Sequence, residues 1–215
     1  MKYYKVKPSD YYNHTRANLL ELIINTPKTA LDVGCGEGSF AVLVKEKYKA
    51  ETWGIEYVAE QAAKAGKKLD KAFAGPCEEH IPNLPDNYFD VIFFNDVLEH
   101  LVDPYSVLED IRSKLAPGGI VIASIPNVRY YKNMANLLFT KDWKYQSHGI
   151  MDKTHLRFFT KKSMIRMFDE AGYECKKVVG LGKSRSLKYI PFALLTLFTQ
   201  GDARYGGYGI VATSK

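Results

Sequence analysis

The sequence predicts a doubly wound α/β fold with a mostly parallel sheet. Three observations carry that expectation. Short apolar runs alternate with helical patterns along most of the chain, and a glycine-rich turn, Gly34-Cys35-Gly36-Glu37-Gly38, joins the first such run to the first helix. The run at 89–94, Phe-Asp-Val-Ile-Phe-Phe, is nearly unbroken in apolar residues, as a strand covered on both faces requires. At 215 residues and 46% hydrophobic, the chain 1–215 is read as one domain with a sizeable core and room for insertions.

Composition sets the outer bounds. With 30 Lys and Arg against 24 Asp and Glu, the net charge is +6, which favours anionic partners: nucleic acid, a membrane surface or a phosphorylated substrate. No basic run reaches the roughly five residues of a nucleic-acid tail and the aromatics are dispersed, which counts against nucleic acid. Cys35, Cys77 and Cys175 lie far apart with no C-x-x-C, so neither a disulfide frame nor a zinc site is suggested. The first residues lack an apolar leader pattern, and the longest apolar run, 189–198, is interrupted by Pro191 and Thr196 and too short to span a bilayer. The expectation is a soluble, cytoplasmic protein.

Residues 1–15 are rich in tyrosine and basic residues, and 16–24 read as an amphipathic helix with Leu19, Leu20 and Ile23 on one face, ended by Pro27. Residues 29–33 are the first strand, and Phe40, Val42, Leu43, Val44 and Tyr48 mark the helix after the glycines. Glycine in that turn tolerates positive φ and lets a ligand lie against bare backbone. The third glycine comes one residue too early for the dinucleotide fingerprint G-x-G-x-x-G, so no pyrophosphate grip is spelled out. The second strand, 51–56, ends in Glu56, 18 residues after Gly38 and close to the spacing of about 20 at which an acid meets ribose hydroxyls in such folds. Its two oxygens can accept from both the 2′ and 3′ hydroxyls.

A small-residue helix at 59–68, a third strand at 69–74 and the fourth at 89–94 follow, with Asn95 and Asp96 at the carboxyl end, where open α/β sheets bind ligands. Next come a helix at 105–115, a Pro117-Gly118-Gly119 turn and a strand at 120–125. Residues 126–160 show no dominant element, yet are too aromatic to be disordered, and read as a functional insertion. A helix at 162–171 stops at Gly172, a strand follows at 173–179, and a second insertion, 181–205, places Lys183, Arg185 and Lys188 before an apolar run. Residues 208–212 supply a last strand.

The pattern Asp32-x-Gly34-x-Gly36-x-Gly38 resembles motif I of the class I S-adenosylmethionine-dependent methyltransferases. Asn95-Asp96-Val97-Leu98-Glu99-His100 resembles their motif after the fourth strand, and Leu115-Ala116-Pro117-Gly118-Gly119 is also similar to the family. The resemblance spans about residues 29–125. It implies a Rossmann-like sheet of seven mostly parallel strands with an antiparallel last strand, and S-adenosylmethionine as cofactor. It further implies cofactor contacts at Asp32, Gly34, Cys35, Gly36 and Gly38, at Glu56 and Tyr57, and at Asn95 and Asp96. The family's acid for the adenine is replaced by Pro76, so that contact passes to the backbone of Cys77 and to Glu78. Residues 1–28 become a lid bringing Tyr11 and Tyr12 to the acceptor, and 127–160 the acceptor-binding insertion. Ser124-Ile-Pro-Asn127, followed by His148-Gly-Ile-Met-Asp152-Lys-Thr-His155-Leu-Arg157-Phe-Phe-Thr160, looks like a bacterial subgroup often associated with glycan and surface-polysaccharide biosynthesis.

Methyl transfer from a sulfonium is an in-line displacement in which alignment meets most of the barrier. A hydroxyl acceptor must also lose a proton, and a histidine is the natural base near neutral pH. Of five histidines, His14 and His80 read as surface residues, His100 follows the fourth strand, and His148 and His155 lie in the insertion with Asp152 between them. His155 is taken as the base, oriented by Asp152 or Asp96 and with His100 as a further catalytic candidate. Asn127, His148 and Arg157 are assigned to the acceptor, the arginine to an acidic or phosphate group. The competing reading is that these polar residues only brace the insertion. No metal is assigned; the alternative is a cation on Asp96, Glu99 and His100, which would share a helical face and which His155 could complete. That pattern is similar to those of small-RNA 2′-hydroxyl and ubiquinone-pathway O-methyltransferases.

The expected reaction is O-methylation of a sugar or sugar-phosphate hydroxyl. The runner-up is a small-molecule methyltransferase of a quinone or amino-sugar pathway. A non-catalytic cofactor-binding module and a nucleic-acid-binding protein are the readings from other classes. For 183–199 three roles stand: a peripheral membrane contact, a dimer face, or a helix packed on the sheet.

Overall fold

The structure is a computed structural model that describes residues 17–187 and 189–215. The expected lid residues Tyr11 and Tyr12, and His14, lie outside the described residues. Seven strands, β1 (Thr29–Val33), β2 (Glu51–Glu56), β3 (Lys71–Ala74), β4 (Phe89–Asn95), β5 (Leu115–Pro126), β6 (Tyr173–Lys183) and β7 (Tyr205–Ser214), form one sheet in the order β3-β2-β1-β4-β5-β7-β6. The pairs among β1 to β5 are parallel, and β7 runs antiparallel between β5 and β6. This is the architecture the resemblance implied. Among the described residues no helix is long and apolar enough to cross a membrane.

The topology fixes where a ligand can bind. From β1 the chain winds outward to β2 and β3, and then returns to lay β4 on the other side of β1. Such a reversal opens a crevice beyond the strand carboxyl ends. Val33 pairs with Ile55 on one side and with Phe94 on the other, so the residues that follow, Gly34, Glu56 and Asn95, meet at one sheet edge.

The helices are α1 (Ser39–Tyr48), α2 (Ala59–Ala65), α3 (Cys77–His80), α4 (Pro104–Ile111), α5 (Tyr131–Ala135), α6 (Lys161–Glu170) and α7 (Tyr189–Leu195). Strand alternation sends Leu31, Val33, Ile92 and Phe94 to one face, where they pack with Leu108 of α4 and Met164 and Phe168 of α6. Ala30, Val91 and Phe93 go to the other face, against Phe40 and Val44 of α1. Phe40 and Phe93 meet edge to face with ring centroids 4.9 Å apart. Both faces being covered is why the β4 run is apolar almost throughout. Side-chain capping sets two helix starts: Asp103 accepts from the amides of Tyr105 and Ser106, and Thr160 and Ser163 form a capping box.

Three expectations are corrected. The helix expected at 16–24 is a short 3-10 turn, Ala17–Leu22, whose Leu19 and Leu22 are buried against Gly209 of β7. β6 runs on to Lys183, because β7 continues to pair with it as far as Lys183 and Tyr205; the second insertion therefore starts inside a strand. And α7 does not find its partner on the sheet: Phe192 packs with Tyr131 of α5 and Ala203 in a cluster of their own.

Candidate active site

The glycine turn is built by backbone bonds that leave its inner surface bare. The amides of Gly34 and Cys35 both donate to the carbonyl of Ile55, at 2.7 and 3.1 Å. Gly34 is held at φ 72, and a Cβ there would meet Val97 Cγ2 at 2.4 Å, so the residue after β1 has to be glycine on both conformational and steric grounds. Glu56 completes the turn. Its Oε2 accepts from the amide of Gly36 and its Oε1 from that of Val58, each at 2.9 Å. Each oxygen keeps a second lone pair for a ligand hydroxyl.

A cleft of about 680 Å³ lies over this turn, a volume suited to a cofactor together with a small acceptor. Of the residues expected at the cofactor, Asp32, Gly34, Cys35, Gly36, Glu56, Tyr57, Asn95 and Asp96 line it. Burial raises the Asp32 carboxyl to about 8, with the neighbouring Glu56 charge adding to the shift. Burial also raises Glu56, against the two amides that favour its ionised form. The Cys35 thiol is pushed well above its ordinary range by burial and by the two carboxylates, so it is no nucleophile. Asn95 Nδ2 donates to Asp32 Oδ1 at 3.4 Å, while Asn95 Oδ1 is buried with no protein partner. An orphaned acceptor beside two carboxylates fits a cationic ligand that donates hydrogen bonds.

Three expected cofactor residues lie elsewhere. Gly38 caps α1 and backs onto Leu69. Cys77 is buried in the core at the start of α3, and Glu78 is exposed; neither lines the cleft. Asn18, Ser39, Gly149, Ile150, Gly206 and Gly207 line it without having been expected. Among them Gly207 is sterically required, since a Cβ there would meet the Ile125 carbonyl oxygen at 2.9 Å, and Gly149 sits at φ 78.

The side of the cleft expected to take the acceptor is formed where the insertion is stitched to the segment after β4. The amides of Leu156 and Arg157 both donate to the Glu99 carbonyl, at 2.9 and 3.1 Å. That stitch sets His155 beside His100, with ring centroids 4.7 Å apart, and places His155 Nε2 3.9 Å from Glu99 Oε1. Glu99 and His155 are both buried. The Nδ1 atoms of His155 and His100 lie 2.9 and 3.0 Å from the carbonyls of Ile150 and Thr154. A carbonyl only accepts, so each Nδ1 carries the proton and Nε2 is the basic nitrogen of each neutral ring.

A backbone carbonyl, that of Ile150, thus holds His155 through Nδ1, a contact that the expectation of Asp152 or Asp96 did not include. Asp152 lines the cleft but spends Oδ1 on the amide and hydroxyl of Thr154, both at 2.8 Å. Asp96, in a left-handed backbone conformation, accepts from Ser124 Oγ at 3.0 Å. Glu99, His100 and His155 form a group whose ligand atoms all lie within 4.8 Å of one another, so His155 stands where Asp96 was expected in the alternative cation set. His148 lines the cleft. Asn127 and Arg157 do not: Asn127 is fully buried and donates to the carbonyls of Asp202 and Tyr205, and Arg157 donates to the carbonyl of Val102. Both brace the insertion.

A family model described as a methyltransferase domain matches residues 9–178. The chain belongs to that family. It is therefore a methyltransferase, and S-adenosylmethionine is the cofactor that the family and the fold imply. The methyltransferase is 29% identical over 164 residues to the ubiquinone biosynthesis O-methyltransferase of Aliivibrio fischeri, covering 72% of this chain and 67% of that protein. It is 31% identical over 163 residues to the Aeromonas salmonicida protein of the same name, covering 72% and 66%. Among solved structures, a SAM-dependent methyltransferase from Archaeoglobus fulgidus superposes with a TM-score of 0.71 at 19% identity, covering 96% of this chain and 97% of that one. A possible histamine N-methyltransferase from Thermotoga maritima gives 0.66 at 19% identity, covering 95% and 89%. These two likenesses establish the fold.

Proposed function

We propose that this methyltransferase O-methylates a phenolic hydroxyl on a small quinone-type acceptor. The observation that carries the reading is the group of buried Glu99 and His155 and half-buried His100, which line the cleft together. An amine or thiol needs only alignment, whereas a hydroxyl needs a proton acceptor beside it. Ile125, Pro126, Ile150 and Leu181 also line the cleft, and such apolar side chains suit a flat ring. A sugar would ask for many more hydrogen-bonding partners. The ubiquinone O-methyltransferase relatives support the same choice over the glycan reading.

When bound, S-adenosylmethionine supplies an electrophilic methyl group. The chain's own part is to hold and to deprotonate. Glu56 would hold the ribose hydroxyls, and Asp32 and Asn95, which line the same cleft, the ligand's cationic end. His155 Nε2 takes the acceptor proton, and the Glu99 carboxylate at 3.9 Å stabilises the imidazolium that forms. The Ile150 carbonyl keeps the ring in the tautomer that can do this.

A second reading is favoured by the convergence of the same three groups. Two basic Nε2 atoms and a carboxylate are a fitting donor set for a divalent cation, which would polarise the acceptor oxygen. The deciding experiment assays catechols and nucleotide sugars as acceptors with wild-type protein and His155→Gln, with and without chelator. Phenol methylation that survives chelation and falls by roughly 10²–10⁴ in His155→Gln supports the base. Activity lost to chelator and restored by manganese assigns the cation instead. Methylated nucleotide sugars with inert phenols overturn the acceptor class.

A further inference from the structure

Of the 15 large apolar side chains exposed among the described residues, 11 fall in two short segments, 137–145 and 187–198. Elsewhere such residues are scattered singly and ask for no explanation. Leu138, Phe139, Leu194, Leu195, Leu197 and Phe198 are between 56% and 81% exposed. The segments belong together. Residues 137–139 sit in the turn Asn136–Thr140 that continues α5, and 194–198 finish and follow α7. α5 and α7 are packed on each other through Tyr131, whose ring lies 5.5 Å from that of Tyr189 and 6.3 Å from that of Phe192.

The charge around this face is one-sided. Between 183 and 199 the sequence has Lys183, Arg185 and Lys188 and no carboxylate. Around the first segment, Lys132, Lys141 and Lys144 are exposed, with Asp142 the acid among them. Apolar side chains rimmed by long cations suit a surface that is apolar within and anionic at its boundary. A second copy of the chain is a poor occupant, because a two-fold contact sets the patch against itself and brings cations to cations.

We propose that this face docks on an anionic lipid bilayer. The apolar side chains enter the interface, and the lysines and arginine meet the lipid phosphates. The docking segments flank the cleft in the chain: Gly182 and His148, which line it, lie beside Lys183 and three residues beyond Tyr145. Docking therefore holds the acceptor side of the cleft close to the lipid. The inference does not depend on which acceptor is methylated.

The test is co-sedimentation of the full chain with vesicles of phosphatidylcholine alone and of phosphatidylcholine mixed with phosphatidylglycerol, at low and high salt. Two variants accompany it, Phe139→Ser/Leu194→Ser/Phe198→Ser and Lys141→Glu/Lys144→Glu/Arg185→Glu. All six positions are exposed, and unchanged melting and adenosylhomocysteine binding verify the fold. The expected result is binding to the anionic vesicles, lost at least ten-fold in the serine variant and about five-fold per cation in the glutamate variant. No binding of wild type to anionic vesicles at low salt overturns the proposal, as does binding that neither variant changes. A wild-type dimer that the serine variant dissociates, without vesicle binding, gives the face to a second copy and also overturns it.

Discussion

Substituting Gly34 by alanine tests how the glycine turn is enforced. The residue sits at φ 72, which for a residue with a Cβ costs roughly 1–2 kcal/mol. The new Cβ would also meet Val97 Cγ2 at 2.4 Å, far inside van der Waals contact, and relieving that overlap adds about 1–3 kcal/mol. The sum is about 2–5 kcal/mol, which for a chain of this size lowers the melting temperature by about 4–20 °C. Gly34→Ala/Val97→Ala separates the two causes. It removes the overlap and keeps the backbone cost, so the double variant should melt above the value that adding the two single effects gives, by about 1–2 kcal/mol of coupling. Thermal unfolding of the four proteins, with adenosylhomocysteine titrations alongside, provides the cycle. Additive effects would refute the claim that Val97 enforces glycine here, and a Gly34→Ala protein with wild-type melting and affinity would refute both causes.

Glu56→Ala leaves the Gly36 and Val58 amides without their acceptor and should raise the adenosylhomocysteine Kd by about 10–100-fold in calorimetry, with Glu56→Gln losing less because it keeps one carboxamide oxygen. Asp32 holds its proton to about pH 8 in the folded protein against 3.8 ordinarily, so between those values the folded state binds more protons than the unfolded chain and stability falls as pH rises, levelling off above the upper value. Asp32→Asn has no such slope. Its melting temperature relative to wild type should therefore climb from about pH 4 to about pH 8, and a difference that stays flat would show that the Asp32 carboxyl is not protonated by burial. Arg157→Ala should leave the acceptor KM within about two-fold, since the guanidinium bonds to the Val102 carbonyl outside the cleft; a large rise in KM in steady-state assays would return it to the acceptor site.

The part of the cleft around the glycine turn was legible because its signals are local. The strand ending at Val33, the turn after it and the acid at the end of β2 each declare themselves within a few residues, and parallel pairing in register then brings them level. The acceptor half rests on contacts between distant segments and was read less well. Asn127 looks the same in sequence whether it faces a ligand or the Asp202 carbonyl 75 residues away. The partners of His155 Nδ1 and His100 Nδ1 are backbone carbonyls, which have no residue signature at all. The choice of α5 over the sheet as partner for α7 depends on Tyr131 and Phe192 meeting, and the periodicity of α7 alone does not name the surface it buries against.

The two amides donated by Leu156 and Arg157 to a single carbonyl divide labour within the insertion. Residues 152–157 are tied to the segment that carries Glu99 and His100, whereas 137–142 reach outward. The outer part is thus open to replacement, by mutation or by grafting from a relative, while Glu99, His100 and His155 stay registered to the rest of the cleft. Lineages that diverge in what they methylate would accordingly be expected to differ first in the outer loop, with the stitch left in place.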